Sequence, residues 1–257
     1  MNNLILIKLG GSVITDKNLP YVAKPKEIRR LVKELKPFAK NIIIAHGSGS
    51  FGHTSATKYG GKKGYKSKVG IAKVARDASE INRIVIDIFI NENIPVVSLR
   101  PMSMILARNG KMQKNFFQII ESVVKQGLIP VVYGDVIWDK EWKSTIFSGE
   151  TTLSYVAKYL LKRGFKINKI IEVSDTNGVN DEKGKTIPEI TINSWRQQKI
   201  YISKSKVSDV TGGMSHKIEE ALEISKMKIE TLIINGNIKN ELKKALMNKK
   251  TGGTLIK

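Results

Sequence analysis

Three glycine-rich clusters in this chain bring backbone amides next to lysine or histidine. Lys8-Leu9-Gly10-Gly11-Ser12 directly follows an apolar run. Two glycines at a strand end let a ligand approach the backbone closely, and their amides can form an anion-binding nest beside Lys8. His46-Gly47-Ser48-Gly49-Ser50-Phe51-Gly52-His53 is a loop rich in amide and hydroxyl donors of the kind that holds phosphate oxygens. The chain has 3 histidines, and two of them bracket this loop. His53 follows the glycines and is the better candidate for a phosphate; His46 ends an apolar run and reads equally as a buried residue. Asp209-Val210-Thr211-Gly212-Gly213-Met214 precedes Lys217 and a helical pattern of Ile218, Ala221, Leu222 and Met227. Glycine amides at a helix start suit an anion. A lysine in the first turn opposes the helix dipole at a cost of about 0.3–1 kcal/mol, which makes sense if phosphate neutralises it. Each cluster alone is also compatible with an ordinary glycine turn or a capped helix start. The P-loop spacing Gly-x4-Gly-Lys-Ser/Thr is absent, so any nucleotide site is of another kind.

These clusters need rigid elements behind them. Near-continuous Val, Ile and Leu runs predict strands at Leu4 to Leu9, Asn41 to Ala45, Pro95 to Leu99, Ile129 to Tyr133, Ile170 to Ser174 and Thr231 to Ile234. Such runs suit strands buried on both faces. Between them Ile28, Leu31, Val32 and Leu35, and again Ile81, Ile84, Val85 and Ile88, recur at helical spacing. Alternating strands and helices predict an α/β fold with a mostly parallel sheet between helix layers. The polar stretch from Asp181 to Ser208 reads as a hairpin or loop.

The composition narrows the functional classes. The 257 residues are 41% hydrophobic and 26% charged, as in folded soluble chains. No apolar run reaches the roughly 18 residues of a membrane span. The N-terminal apolar stretch is short and lacks a basic leader, so the expected location is cytoplasmic. Without cysteine there is no disulfide, thiol nucleophile or thiolate metal site, and no resident metal is expected. Lys and Arg number 44 against 23 acids, a formal charge of +21. A nucleic-acid partner is not favoured: the basic residues are scattered, with only Lys58, Lys62, Lys63, Lys66 and Lys68 approaching a cluster. A positive field also concentrates phosphorylated small molecules.

Taken in order, Lys8 to Lys17, the His46 to His53 loop, Tyr133-Gly134-Asp135-Val136, Ser148-Gly149-Glu150 and Asp209 to Met214 resemble the amino-acid-kinase superfamily. The histidine closing the second loop resembles its isopentenyl phosphate kinase branch. The resemblance implies a three-layer α/β/α sandwich with a mostly parallel central sheet. It implies one kinase domain over 1–257, with the acceptor bound by a part near 1–165 and ATP by a part near 166–257. The implied reaction is in-line transfer from ATP, carrying Mg²⁺, to isopentenyl phosphate, without a phosphoenzyme, in isoprenoid biosynthesis. Lys8, Lys17 and Lys217 match phosphate-contacting lysines, and His53 matches the acceptor-phosphate ligand. Gly10, Gly11, Ser12, Gly49, Asp175, Gly178, Gly212 and Gly213 fall where the nucleotide is held. Ser48, Gly49, Gly52 and Gly149 fall near the acceptor. The tail pocket would draw on apolar residues of the helix from Val69 to Phe89. Relatives of this kind tend to form homodimers.

Three positions depart from the branch. Ser48 replaces a glycine, Glu150 replaces an aspartate that orients the lysines, and Asn177 replaces an aspartate in Ser174-Asp175-Thr176-Asn177-Gly178. These leave open another small phosphate, phosphonate or amino-acid acceptor on the same fold. The alternative of a different class is a non-catalytic nucleotide or nucleic-acid binder, which needs no convergent lysine set.

Overall fold

The computed structural model describes residues 3–61, 63–65, 67–196 and 213–257. The chain begins β1 (Leu4–Leu9), α1 (Gly11–Ile14), α2 (Pro25–Leu35), β2 (Ile42–His46), α3 (Gly49–Tyr59), β3 (Gly60–Gly61) and β4 (Gly64–Tyr65). It continues through α4 (Lys68–Asn91), β5 (Val96–Ser98), α5 (Pro101–Met104), β6 (Ile105–Arg108), β7 (Lys111–Asn115) and α6 (Gln118–Lys125). Then come β8 (Ile129–Tyr133), β9 (Asp135–Asp139), β10 (Lys143–Phe147), α7 (Gly149–Lys162), β11 (Ile167–Ser174) and β12 (Glu189–Ile190). The last elements are α8 (Gly213–Ser225), β13 (Glu230–Asn235), α9 (Glu241–Leu246) and β14 (Thr254–Ile256).

Eight strands form the central sheet in the order β12-β14-β13-β11-β1-β2-β8-β5. Its pairings are parallel except β13 with β14. Both faces are covered, and the two-residue period of a strand divides the core accordingly. Ile7 and Leu9 of β1 pack with Ile28 and Leu31 of α2 and Val85 and Phe89 of α4. Leu4 and Leu6 pack on the other face with Leu153, Val156 and Leu160 of α7 and Ile224 of α8. Lys8 shares the α7 and α8 face by the same alternation. The expected three-layer architecture is therefore present.

The predicted strands are found, with shifted ends. The Asn41 to Ala45 run moves one residue to Ile42–His46, and the Pro95 to Leu99 run shortens to Val96–Ser98. β11 begins earlier, at Ile167, because the ladder with β1 continues past polar Lys169, in register with Ile5. The stretch from Asp181 contains the bridge Asn180–Thr186, β12 and a helical turn at 192–196, while 197–208 lie outside the described residues.

A second sheet, β10-β9-β6-β7, is not signalled by apolar runs. Its strand β7 is Lys-Met-Gln-Lys-Asn, too polar to stand out. The Asp139 carboxylate ties its turns together by accepting from the N–H groups of Asn109 (3.2 Å), Gly110 (2.8 Å), Glu141 (2.9 Å) and Trp142 (2.9 Å). This sheet carries the chain from Gly134 at the end of β8 to Ser148 at the start of α7.

His46 is the pivot between β2 and α4. It is fully buried, stacks on Tyr133 at 5.5 Å, and its Nε2 lies 3.1 Å from Asn82 Oδ1. Burial holds its imidazole below the ordinary pKa, against the hydrogen-bonding partners Gly47 and Asn82, and the charge of Lys8 lowers it further. The folded state thus resists a proton that the unfolded chain accepts. Stability should decline as pH falls below about 6.5. His46→Ala should lower the unfolding free energy by roughly 2–4 kcal/mol and abolish that slope, as measured by urea titrations across pH.

Candidate active site

The cleft forms at the C-terminal ends of β1, β2, β8 and β11, the edge where open parallel sheets hold ligands. Each strand ends in a loop tied to its neighbour. Gly10 N–H donates to Val173 O (2.7 Å), Gly47 N–H to Leu9 O (3.0 Å) and Gly134 N–H to His46 O (2.9 Å). The loops after β1 and β2 touch so closely that side chains are excluded. A Cβ on Gly11 would lie 2.7 Å from Gly49 N, and one on Gly49, whose φ is +50°, would lie 2.1 Å from Thr15 Oγ1. Thr15 seals the junction: its hydroxyl donates to Gly11 O (2.7 Å) and accepts from Ser50 N–H (2.9 Å).

Helices α3 and α7 begin at this cleft. α3 starts at Gly49, and α7 starts at Gly149 after Ser148, whose Oγ accepts from Thr151 N–H at 3.0 Å. Serine at that position satisfies an end-of-helix donor, and Glu150 in the first turn complements the dipole. The helix ends add amide donors and positive potential to a cleft of about 330 Å³, within the range of small-ligand sites.

The charges are arranged in two sets. Lys8 is buried on β1, and its Nζ donates to Glu150 Oε1. Burial alone would raise the Glu150 carboxyl, but the charges of Lys8 and then Lys217, with the Lys8 hydrogen bond, hold it at about 2. Lys217, one turn into α8, lines the same cleft. The second set is outward. Asp175, after β11, accepts from Lys17 Nζ (2.5 Å) and Ser12 Oγ (2.9 Å). Those contacts outweigh burial and keep its carboxyl below the usual range.

Most sequence candidates meet here. Lys8, Gly10, Gly11, Ser12, Lys17, Ser48, Gly49, His53, Gly149, Glu150, Asp175 and Lys217 all line the cleft. Gly52 lines a smaller apolar recess adjoining it, with His53, Ala56 and Val136. Val74 and Ala78 of α4, within the helix expected to supply a tail pocket, also line that recess, together with Ile146 and the buried Asp135. Gly178 does not line the cleft. Its φ is +88°, and a Cβ there would lie 2.4 Å from Thr254 Oγ1, so it serves a turn against β14. Gly213 opens α8, whereas Gly212, Asp209 to Thr211, Lys62 and Lys66 lie outside the described residues.

Sequence reasoning missed Thr15 and Glu172. Thr15 carried no signal, being one hydroxyl among many. Glu172 did: it is a lone acid inside the Ile170 to Val173 run, and the structure buries it beneath the cleft.

The model of the Amino acid kinase family matches residues 3–235. The chain belongs to that family. It is 34% identical to the isopentenyl phosphate kinase of Methanocaldococcus jannaschii over 97% of both chains. It is 29% identical to that of Methanothermobacter thermautotrophicus over 98% of both. A solved isopentenyl phosphate kinase structure superposes with a TM-score of 0.83 at 27% identity, covering 99% of this chain and 100% of the other. The Thermoplasma acidophilum isopentenyl phosphate kinase product complex gives 0.77 at 26% identity, covering 99% and 100%. Within the amino acid kinase family the chain lies in the isopentenyl phosphate kinase branch.

The three positions expected from the sequence to depart from that branch have local partners. Ser48 fills space over Gly52, where an added Cβ would meet its Oγ at 2.2 Å. Asn177 Oδ1 accepts from Asn235 Nδ2 (2.7 Å), joining the loops after β11 and β13. Glu150 reaches Lys8 directly. Glu150→Gln should therefore cut kcat about 10²-fold or more while ATP affinity stays within a few-fold, because orientation of Lys8 is lost rather than the binding site. Glu150→Asp, one methylene shorter, should be worse than wild type; steady-state kinetics of both variants are the check.

Proposed function

We propose that this protein transfers the γ-phosphoryl group of MgATP to isopentenyl phosphate, giving isopentenyl diphosphate and ADP. The observation that carries this reading is the convergence of Lys8, Lys217 and Glu150 on glycine-rich loops that open, beside His53, onto an apolar recess. Amides and lysines suit phosphates, and the mostly apolar lining of the recess, about 30 Å³, offers a surface for the start of a short hydrocarbon tail.

In this reading an acceptor phosphate oxygen attacks the γ-phosphorus in line, and the bond from that phosphorus to the β–γ bridging oxygen breaks. The acceptor is already an anionic nucleophile, so no strong base is required. Catalysis then rests on positioning and on positive charge at the transferring group. Lys8 and Lys217 stabilise the phosphoryl oxygens, and Lys17, directed by Asp175, follows the γ-phosphate. His53 donates to the acceptor phosphate, with Ser48, Gly49, Gly52 and Gly149 around it. Gly10, Gly11 and Ser12 hold nucleotide phosphates; Gly178 supports that side through its turn. The acceptor lies with residues 1–165 and the nucleotide with 166–257, its phosphates reaching across to the loop after β1.

Mg²⁺ enters as part of the nucleotide, held by phosphate oxygens. Among the described residues no three His, Asp or Glu side chains gather to hold a metal of their own, and no helix is long and apolar enough to cross a membrane. A cytoplasmic homodimer is part of the proposal, on the strength of the family resemblance; sedimentation velocity tests the dimer.

With MgATP and a panel of isopentenyl phosphate, glutamate, acetylglutamate, aspartate and uridine monophosphate, isopentenyl phosphate should give the highest kcat/KM. A better amino acid would overturn the acceptor, and acceptor-independent behaviour throughout would favour a binding protein. His53→Ala should raise the acceptor KM about tenfold or more, and the ATP KM much less, as expected for loss of a charge-assisted hydrogen bond. Equal changes in both would assign His53 a folding role. Lys217→Ala should lower kcat about 10²-fold or more; near-normal turnover would remove it from the mechanism.

A further inference from the structure

Glu172 is a carboxylate in the middle of a strand that is otherwise buried and apolar around it. On β11 it stands in register with Lys8 of β1 on one side and Ile233 of β13 on the other. Neighbouring strands lie about 4.8 Å apart, and residues in register share a sheet face. Glu172 is therefore a direct neighbour of the lysine that Glu150 engages from above. Its Oε2 is buried and has no hydrogen-bond partner among the described residues, an expensive state for an anion and a much cheaper one for a protonated acid.

The charged groups facing it come from each packed element: Lys8 on β1, Glu150 on α7, and Lys217 and Glu220 on α8. Burial, with the negative charge of Glu150 next, pushes Glu172 up to about 7, against the pull of Lys8 and Lys217. Glu150, by contrast, is held at about 2. The two carboxyls are pushed in opposite directions: the one in contact with Lys8 is favoured as the anion, and the one without a partner for its Oε2 among the described residues is favoured as the acid.

We propose that Glu172 is a proton-accepting positioning residue: it takes up a proton from solvent when phosphates enter the cleft and releases it when they leave. In the free protein its negative charge helps compensate two ammonium groups that would otherwise repel. Arriving phosphate does that instead, and a second buried anion beneath the lysines then becomes unfavourable. Protonated, Glu172 leaves the charges of Lys8 and Lys217 to the phosphoryl group. This inference rests on phosphate occupancy of the cleft, as in the function proposed above, and is independent of which acceptor is used.

The test is calorimetric titration of the full chain with Mg-AMPPNP, without acceptor, near neutral pH in two buffers of different ionisation enthalpy. Wild type should take up protons on binding, and Glu172→Gln less than half as many. Equal uptake in both proteins, or none in wild type, overturns the proposal; the wild-type result stands even if the variant does not fold. A kinetic readout accompanies it. The ratio of variant to wild-type kcat/KM for MgATP should rise about tenfold from pH 6 to pH 9, because only wild type acquires the opposing charge. Substrate ionisation cancels in that ratio. Parallel pH profiles, or a uniform loss at every pH, would assign Glu172 a structural role. Proton uptake with nucleotide but no turnover of isopentenyl phosphate would overturn the acceptor assignment and leave this inference intact.

Discussion

Two ammonium groups facing one small cleft repel each other, and the contact between Lys8 and Glu150 offsets that repulsion. Much of the surrounding structure bears on that contact. Lys8 is fixed by strand pairing on both sides, with Glu172 and Ala45 in register. Glu150 is fixed because α7 starts where it does: Ser148 caps it, and Gly149 lies so near His46 O that a Cβ would come within 2.6 Å. His46 in turn is held by burial and Asn82. The charge arrangement is thus an outcome of backbone packing at the strand ends, and the glutamate side chain at position 150 is accommodated within it.

The strand-forming runs were legible because a strand covered on both faces must be apolar throughout, and such runs stand out. Loop clusters were legible for a related reason: glycines placed directly after those runs are required where two loops touch, as Gly11 and Gly49 do. The polar sheet formed by β6, β7, β9 and β10 was not legible. Its order comes from hydrogen-bonded turns around Asp139, which leave little trace in hydrophobic pattern. Gly178 has a second reason to be glycine that the sequence did not show: the family resemblance places it on the nucleotide side, and its positive φ with the proximity of Thr254 requires a glycine there in any case. Glu172 was visible as an acid in an apolar run, but its significance needed the register with Lys8, which only the sheet supplies.

In the proposed function the recess beside His53 and the glycine loops act on different parts of one ligand. Amides, Lys8, Lys217 and Lys17 offer donors and charge to phosphates, while Ala56, Val74 and Ala78 offer apolar surface to a tail. A cleft built this way gains little by gripping the ground state of ATP more tightly. Its advantage lies in charge placed where negative charge gathers during transfer, which is what differential binding of a transition state requires.

That claim is tested most directly by comparing two affinities in Lys8→Ala and wild type: for Mg-AMPPNP, and for MgADP with tetrafluoroaluminate and isopentenyl phosphate, an assembly that mimics the phosphoryl group in flight. The account predicts that the substitution weakens the second by about 10²-fold or more and the first by only a few-fold. An equal loss for both ligands, or no loss for the transition-state mimic, would contradict it.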